Sequence, residues 1–212
     1  MFVYQSIRTV KSAFISLLVL FSSYGFTHEA KKGEHYEVLT PTIISADSTA
    51  RIVKYFSLSC HPCKMMNEFL PQLERETGKE IDKEHVVYND NTKSLATIYY
   101  SAKVQSEIVV DTSFMKDLFS QVQSRTVDQG NIANLFQRYG LKAPETMTVQ
   151  QNEMVTKQVV QSEWVMSNTS INAVPGFVVD GKYLVKLDRH RSIEEMAATM
   201  KYLLALSPDE SS

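Results

Sequence analysis

Ile52-Val53-Lys54-Tyr55-Phe56-Ser57-Leu58-Ser59-Cys60-His61-Pro62-Cys63-Lys64-Met65-Met66-Asn67-Glu68-Phe69-Leu70 contains both cysteines of the 212-residue chain, separated by two residues. The β-branched and aromatic run at 52–56 reads as a buried strand, while Met66, Phe69, Leu70 and Leu73 recur at helical spacing. The cysteines therefore stand where a strand hands over to a helix N-terminus. Unpaired N–H groups and the positive end of the helix dipole favour a thiolate on Cys60 there. Pro62 suits a first turn that has no N–H partner to lose. A low-pKa thiol is expected at Cys60.

Four chemistries compete for such a pair. Zinc requires four ligands, yet no second cysteine pair follows, and the histidines at 28, 35, 85 and 190 stand apart in sequence. A purely structural disulfide across two intervening residues constrains the unfolded chain very little. Two unrelated free thiols would not need this spacing. Thiol–disulfide exchange fits best, with Cys60 as the attacking sulfur and Cys63 as the resolving one. His61, the nearest titratable side chain in sequence, is expected to help stabilise the Cys60 thiolate.

Residues 1–30 read as a signal peptide rather than as part of the fold. Arg8 and Lys11 form a basic start, and the apolar run at 13–21 is too short to span a bilayer. Small residues offer cleavage after Gly25 or after Ala30. Removal deletes Arg8, Lys11 and Glu29 and takes the formal charge from −2 to −3. So nearly neutral a surface does not suggest nucleic acid or anionic lipid as partner. Export also changes the meaning of the dithiol, because an oxidising compartment favours an oxidant where a reducing cytosol favours a reductase.

The mature chain fits one domain with a large insertion. Strands are expected at 36–39, 51–57 and 86–88, with a helix over 60–77 that Gly78 stops and Pro71 kinks or splits. From 92 to 168 the period is helical throughout, with Gly140 closing a third helix, Pro144 opening a long fourth one and Trp164 packing where the bundle meets the sheet. A hairpin follows, 176–179 and 183–185 around Asp180-Gly181, and a last helix opens with the capping box Ser192-Ile193-Glu194-Glu195. The order is α/β: a βαβ half at 31–91, an inserted helical domain at 92–168, and a ββα half at 169–212.

Gly33-Glu34-His35-Tyr36, Tyr55-Phe56-Ser57-Leu58-Ser59-Cys60-His61-Pro62-Cys63, the helical insert, and Ala173-Val174-Pro175-Gly176-Phe177-Val178-Val179-Asp180-Gly181-Lys182-Tyr183 occur in that order. Together they resemble the DsbA family of exported thiol:disulfide oxidoreductases, which are thioredoxin folds with a helical insertion. The resemblance implies that Pro175 is cis and lies against the CxxC, with Val174-Pro175 forming the edge where an extended substrate pairs its backbone. It implies no metal or organic cofactor, reduced exported polypeptides as substrates, and a membrane reoxidase of the DsbB type.

Two departures from the family pattern bear on redox tuning. The inner dipeptide is His61-Pro62, where the family's best-known member has the reverse order, so the redox potential does not carry over. Lys54 occupies the position where thioredoxin-like proteins commonly bury an acid. A cation there would favour the thiolate but could not accept the resolving thiol's proton as a carboxylate would, unless it snorkels to solvent and does neither. Asn168-Thr169-Ser170 matches the N-glycosylation pattern by chance. The expected function is disulfide donation in the periplasm. The rivals are an isomerase or reductase of the same fold, although 31–37 leaves no room for an added dimerisation domain, and a binding module with CxxC as a static staple.

Overall fold

The computed structural model describes residues 29–44, 51–106, 110 and 113–206, so the expected signal peptide lies, apart from its last two residues, outside the described residues. Five strands form one sheet: β1 (Tyr36–Val38), β2 (Ile52–Phe56), β3 (Ile81–His85), β4 (Gly176–Val179) and β5 (Tyr183–Val185), in the order β1-β5-β4-β2-β3. Only β2 and β3 pair in parallel; the other contacts are antiparallel. β2 lies inside the sheet between β4 and β3 and is buried along its whole length, Lys54 included. Alternate residues of β2 face opposite ways. Ile52 packs with Phe177, Val179, Leu73, Met200 and Leu203, while Val53 and Tyr55 pack with Val178, Val165 and Ile171 on the other face.

The helix that follows β2 is two helices, α1 (His61–Asn67) and α2 (Leu70–Thr77). The break comes because Pro71 cannot donate a backbone hydrogen bond and sits instead in the first turn of α2, where no donor is needed. Gly78 ends α2 at φ 67°. Four described helices follow β3: α3 (Asp90–Lys103), α4 (Ser113–Gln123), α5 (Gln129–Arg138) and α6 (Val149–Asn168). Phe114, Phe119, Leu135, Phe136, Tyr99 and Tyr100 form their shared core, which reaches Phe56 and Leu58 beside the cysteines. After β5, α7 (Ile193–Leu206) covers the sheet.

Three expectations need correction. The third strand is Ile81–His85, not 86–88. Its Asp82 and Glu84 both bind the buried Lys103 ammonium, at 2.8 and 2.9 Å, from α3. Burial thus falls on a polar segment, while Val86 and Val87 are buried just beyond the strand. Pro144 opens only a short 3₁₀ turn (Pro144–Thr146), and the long helix starts at Val149 under a capping box of Thr148 and Gln151. Trp164 is 42% exposed, because Val155, Val159, Ser162 and Val165 are the residues that α6 buries.

The β4–β5 turn is where a single residue matters most. Asp180 and Gly181 both have positive φ, 50° and 62°, as a tight hairpin demands. A Cβ on Gly181 would overlap the Ile43 carbonyl oxygen, whose own N–H donates to Gly181 O at 2.7 Å. Asp180 in turn receives two 2.7 Å hydrogen bonds from Arg51, which also donates to Leu204 O at 2.9 Å. Gly181→Ala is therefore expected to lower stability by about 2 kcal/mol or more, combining left-handed strain with the clash. The urea midpoint should fall accordingly, and an unchanged midpoint would mean that this turn relaxes freely.

Candidate active site: the Cys60–Cys63 disulfide and its surroundings

A turn carries the chain from β2 into α1, closed by the Cys60 N–H donating to Ser57 O at 3.0 Å. Cys60 is the N-cap of α1, and its sulfur accepts the Cys63 N–H at 3.1 Å. This is the thiolate-favouring geometry expected of a helix start. The two cysteines form a disulfide, with Cα atoms 5.2 Å apart. Cys63 is fully buried, Cys60 is partly exposed, and His61 and Pro62 are exposed. An attacking thiolate therefore reaches the Cys60 sulfur more readily than that of Cys63.

The segment that enters β4 borders the disulfide. Cys60 Sγ lies 3.5 Å from the Val174 carbonyl oxygen, and the Val174–Pro175 bond is cis. These two residues, separated from the cysteines by the helical insert, thus line the same site, and both are partly exposed.

Lys54 lies beneath α1 and does not snorkel. Its side chain is fully buried, and Nζ donates to Cys63 O at 3.2 Å and to Asn67 Oδ1 at 3.4 Å. Burial pushes its pKa down to about 7, helped by Lys83, its register partner on β3. Burial thus favours the neutral amine far more than in an exposed lysine.

Sequence reasoning missed two side chains that hold the active-site turn. His85 at the end of β3 is buried, donates from Nδ1 to Val86 O at 2.9 Å, and accepts the Leu58 N–H on Nε2 at 3.0 Å. Burial pushes its pKa down to about 3, so the ring stays neutral and keeps that acceptor. Gln123, at the end of α4, donates from Nε2 to Leu58 O at 3.1 Å and Cys60 O at 3.2 Å. Its Oε1 lies 3.3 Å from His61 Nδ1. Neither has a local sequence signature, since each is brought to the turn by the packing of a distant element. His35 and His190, apart in sequence, also meet, with ring centroids 5.8 Å apart. Among the described residues no three His, Cys, Asp or Glu side chains gather as a metal site would need.

A family model described as Thioredoxin matches residues 39–201, a span that holds the cysteine pair, the helical insert and Val174-Pro175. The chain belongs to the thioredoxin family. Solved structures with the same fold include a cysteine-to-serine variant of DsbA from Proteus mirabilis with the non-covalently bound peptide PWATCDS. That match has 21% identity and a TM-score of 0.62, covering 84% of this chain and 100% of that one. DsbA from Xylella fastidiosa matches with a TM-score of 0.66 at 18% identity, covering 84% and 97%. DsbL from Salmonella enterica serovar Typhimurium matches with a TM-score of 0.63 at 16% identity, covering 82% and 97%. The thioredoxin fold is thus the architecture that this family member shares with those DsbA and DsbL proteins.

Proposed function

We propose that this thioredoxin-family protein donates its Cys60–Cys63 disulfide to reduced, exported polypeptides. The observation that carries this reading is the partly exposed Cys60 at a helix N-terminus, its sulfur accepting the Cys63 N–H while Cys63 itself is buried. A substrate thiolate attacks Cys60 Sγ, the Cys60–Cys63 bond breaks, and Cys63 leaves with the electron pair. The substrate's second thiolate then attacks its own sulfur in the mixed disulfide and expels Cys60 as a thiolate. The substrate loses two electrons and two protons, and the protein gains them. A membrane reoxidase of the DsbB type would restore the disulfide.

The backbone at Val174-Pro175, bordering Cys60, would pair with an extended substrate segment, giving affinity without demanding a sequence. The peptide bound to the Proteus mirabilis protein supports a polypeptide substrate here. The leader at 1–30 would deliver the chain to the periplasm, and no helix among the described residues is long and apolar enough to cross a membrane. His61, Pro62 and Lys54 would tune the potential, His61 by favouring the thiolate and Pro62 by shaping the first turn of α1.

Equilibration with glutathione tests the proposal. An oxidant should show a potential of about −180 mV or higher, and a value near −270 mV would point to a reductase instead. The reduced protein should also melt above the oxidised form at neutral pH, since stabilising the thiolate and oxidising strength are the same free energy. His61→Ala should make the protein a weaker oxidant. An unchanged potential in that variant would leave the tuning to the helix terminus alone.

A further inference from the structure

The side-chain amide of Gln123 meets three groups of the active-site turn. Its nitrogen end faces two backbone carbonyls, Leu58 O and Cys60 O, which can only accept hydrogen bonds. That orients the amide, so the oxygen end is the one 3.3 Å from His61 Nδ1. A carbonyl oxygen cannot donate, so a hydrogen bond between them requires the proton on Nδ1. In the neutral ring Nε2 is then the bare nitrogen.

We infer that Gln123 is a positioning residue that clamps the Leu58–Cys60 turn and holds His61 in its Nδ1-protonated form beside Cys60. It comes from the helical insert and bonds the turn carbonyls and the His61 ring, and it acts on the thiols through them. The insert would then set the state of the dithiol as well as covering one side of the site. The clamp on His61 stands on geometry alone, whereas its consequence for the potential rests on the proposed redox function.

The test uses the reduced full mature protein with ¹⁵N-labelled histidine, comparing wild type, Gln123→Leu and Gln123→Glu. The ring nitrogen shifts of neutral His61 should report a proton on Nδ1 in wild type. They should move toward a mixture of tautomers in Gln123→Leu. Gln123→Glu keeps an acceptor for Nδ1–H and should return them to the wild-type pattern. In the same proteins Gln123→Leu should shift the glutathione equilibrium by about fivefold, the net worth of one hydrogen bond. That shift should shrink when His61 is already alanine. Nitrogen shifts that Gln123→Leu leaves unchanged, or a potential shift as large in the His61→Ala background, would overturn the inference. If the nitrogen shifts behave as expected while the wild-type potential lies near −270 mV, the clamp stands and the oxidant reading falls.

Discussion

Cys63→Ala is expected to convert the protein from a turnover catalyst into a trap. With Cys63 absent, a Cys60 mixed disulfide has no internal thiolate to reverse it and awaits the substrate's own second thiol. Once glutathione disulfide has placed glutathione on Cys60 of this variant, a reduced polypeptide's thiolate displaces it as a thiol and disulfide-linked adducts should accumulate, whereas Cys60→Ala should form none and lose dithiol oxidation altogether. The asymmetry follows from exposure, since the Cys60 sulfur is partly open and accepts a helix N–H whereas that of Cys63 is sealed. Non-reducing gels of the two variants, each first treated with glutathione disulfide and then mixed with a reduced one-cysteine peptide, make the measurement. Equal adduct formation by both would reverse or abolish the assigned roles.

The second large effect concerns the buried Lys54. Its folded pKa of about 7 lies well below the ordinary lysine value near 10.4, so between these pH values the unfolded chain binds more protons than the folded one. The stability that Lys54 allows is complete above about pH 10.4 and is lost as pH falls toward 7, at up to ~1.4 kcal/mol per pH unit. His85 acts in the same direction over a lower window. Its folded pKa is about 3, so its share is complete above about 6.5 and is lost as pH falls toward 3. Lys54→Met removes a buried cation and replaces it with an apolar chain of similar length. It should stabilise the protein at pH 7 by about 1–3 kcal/mol, after losing the bonds to Cys63 O and Asn67 Oδ1. Urea unfolding from pH 4 to 10 should show the alkaline rise vanish in Lys54→Met while the acid limb remains. An alkaline slope equal to wild type would mean that another group titrates there.

Legibility from sequence tracked how local the cause of each feature was. The split at Pro71, the stop at Gly78 and the Asp180-Gly181 hairpin were readable because a missing N–H or a required positive φ is written into one or two residues. The third strand was misplaced because Asp82 and Glu84 look like surface until Lys103 arrives from α3. Trp164 was misplaced for a similar reason. It was expected to pack where the bundle meets the sheet, but the face of α6 turned toward the core is set by Val155, Val159 and Val165.

The sequence by itself determined the dithiol and its place at a strand-to-helix junction, because a two-residue spacing, an apolar run and a helical period need no distant partner. Tertiary structure alone decided which groups surround it. Gln123 spans the turn from α4, His85 holds Leu58 from β3, and Lys54 is shut in beneath α1. The physical reason is that hydrogen bonds and desolvation depend on what packs around a group. A lysine in a strand reads the same whether water or a helix covers it, and only burial brings its pKa to about 7.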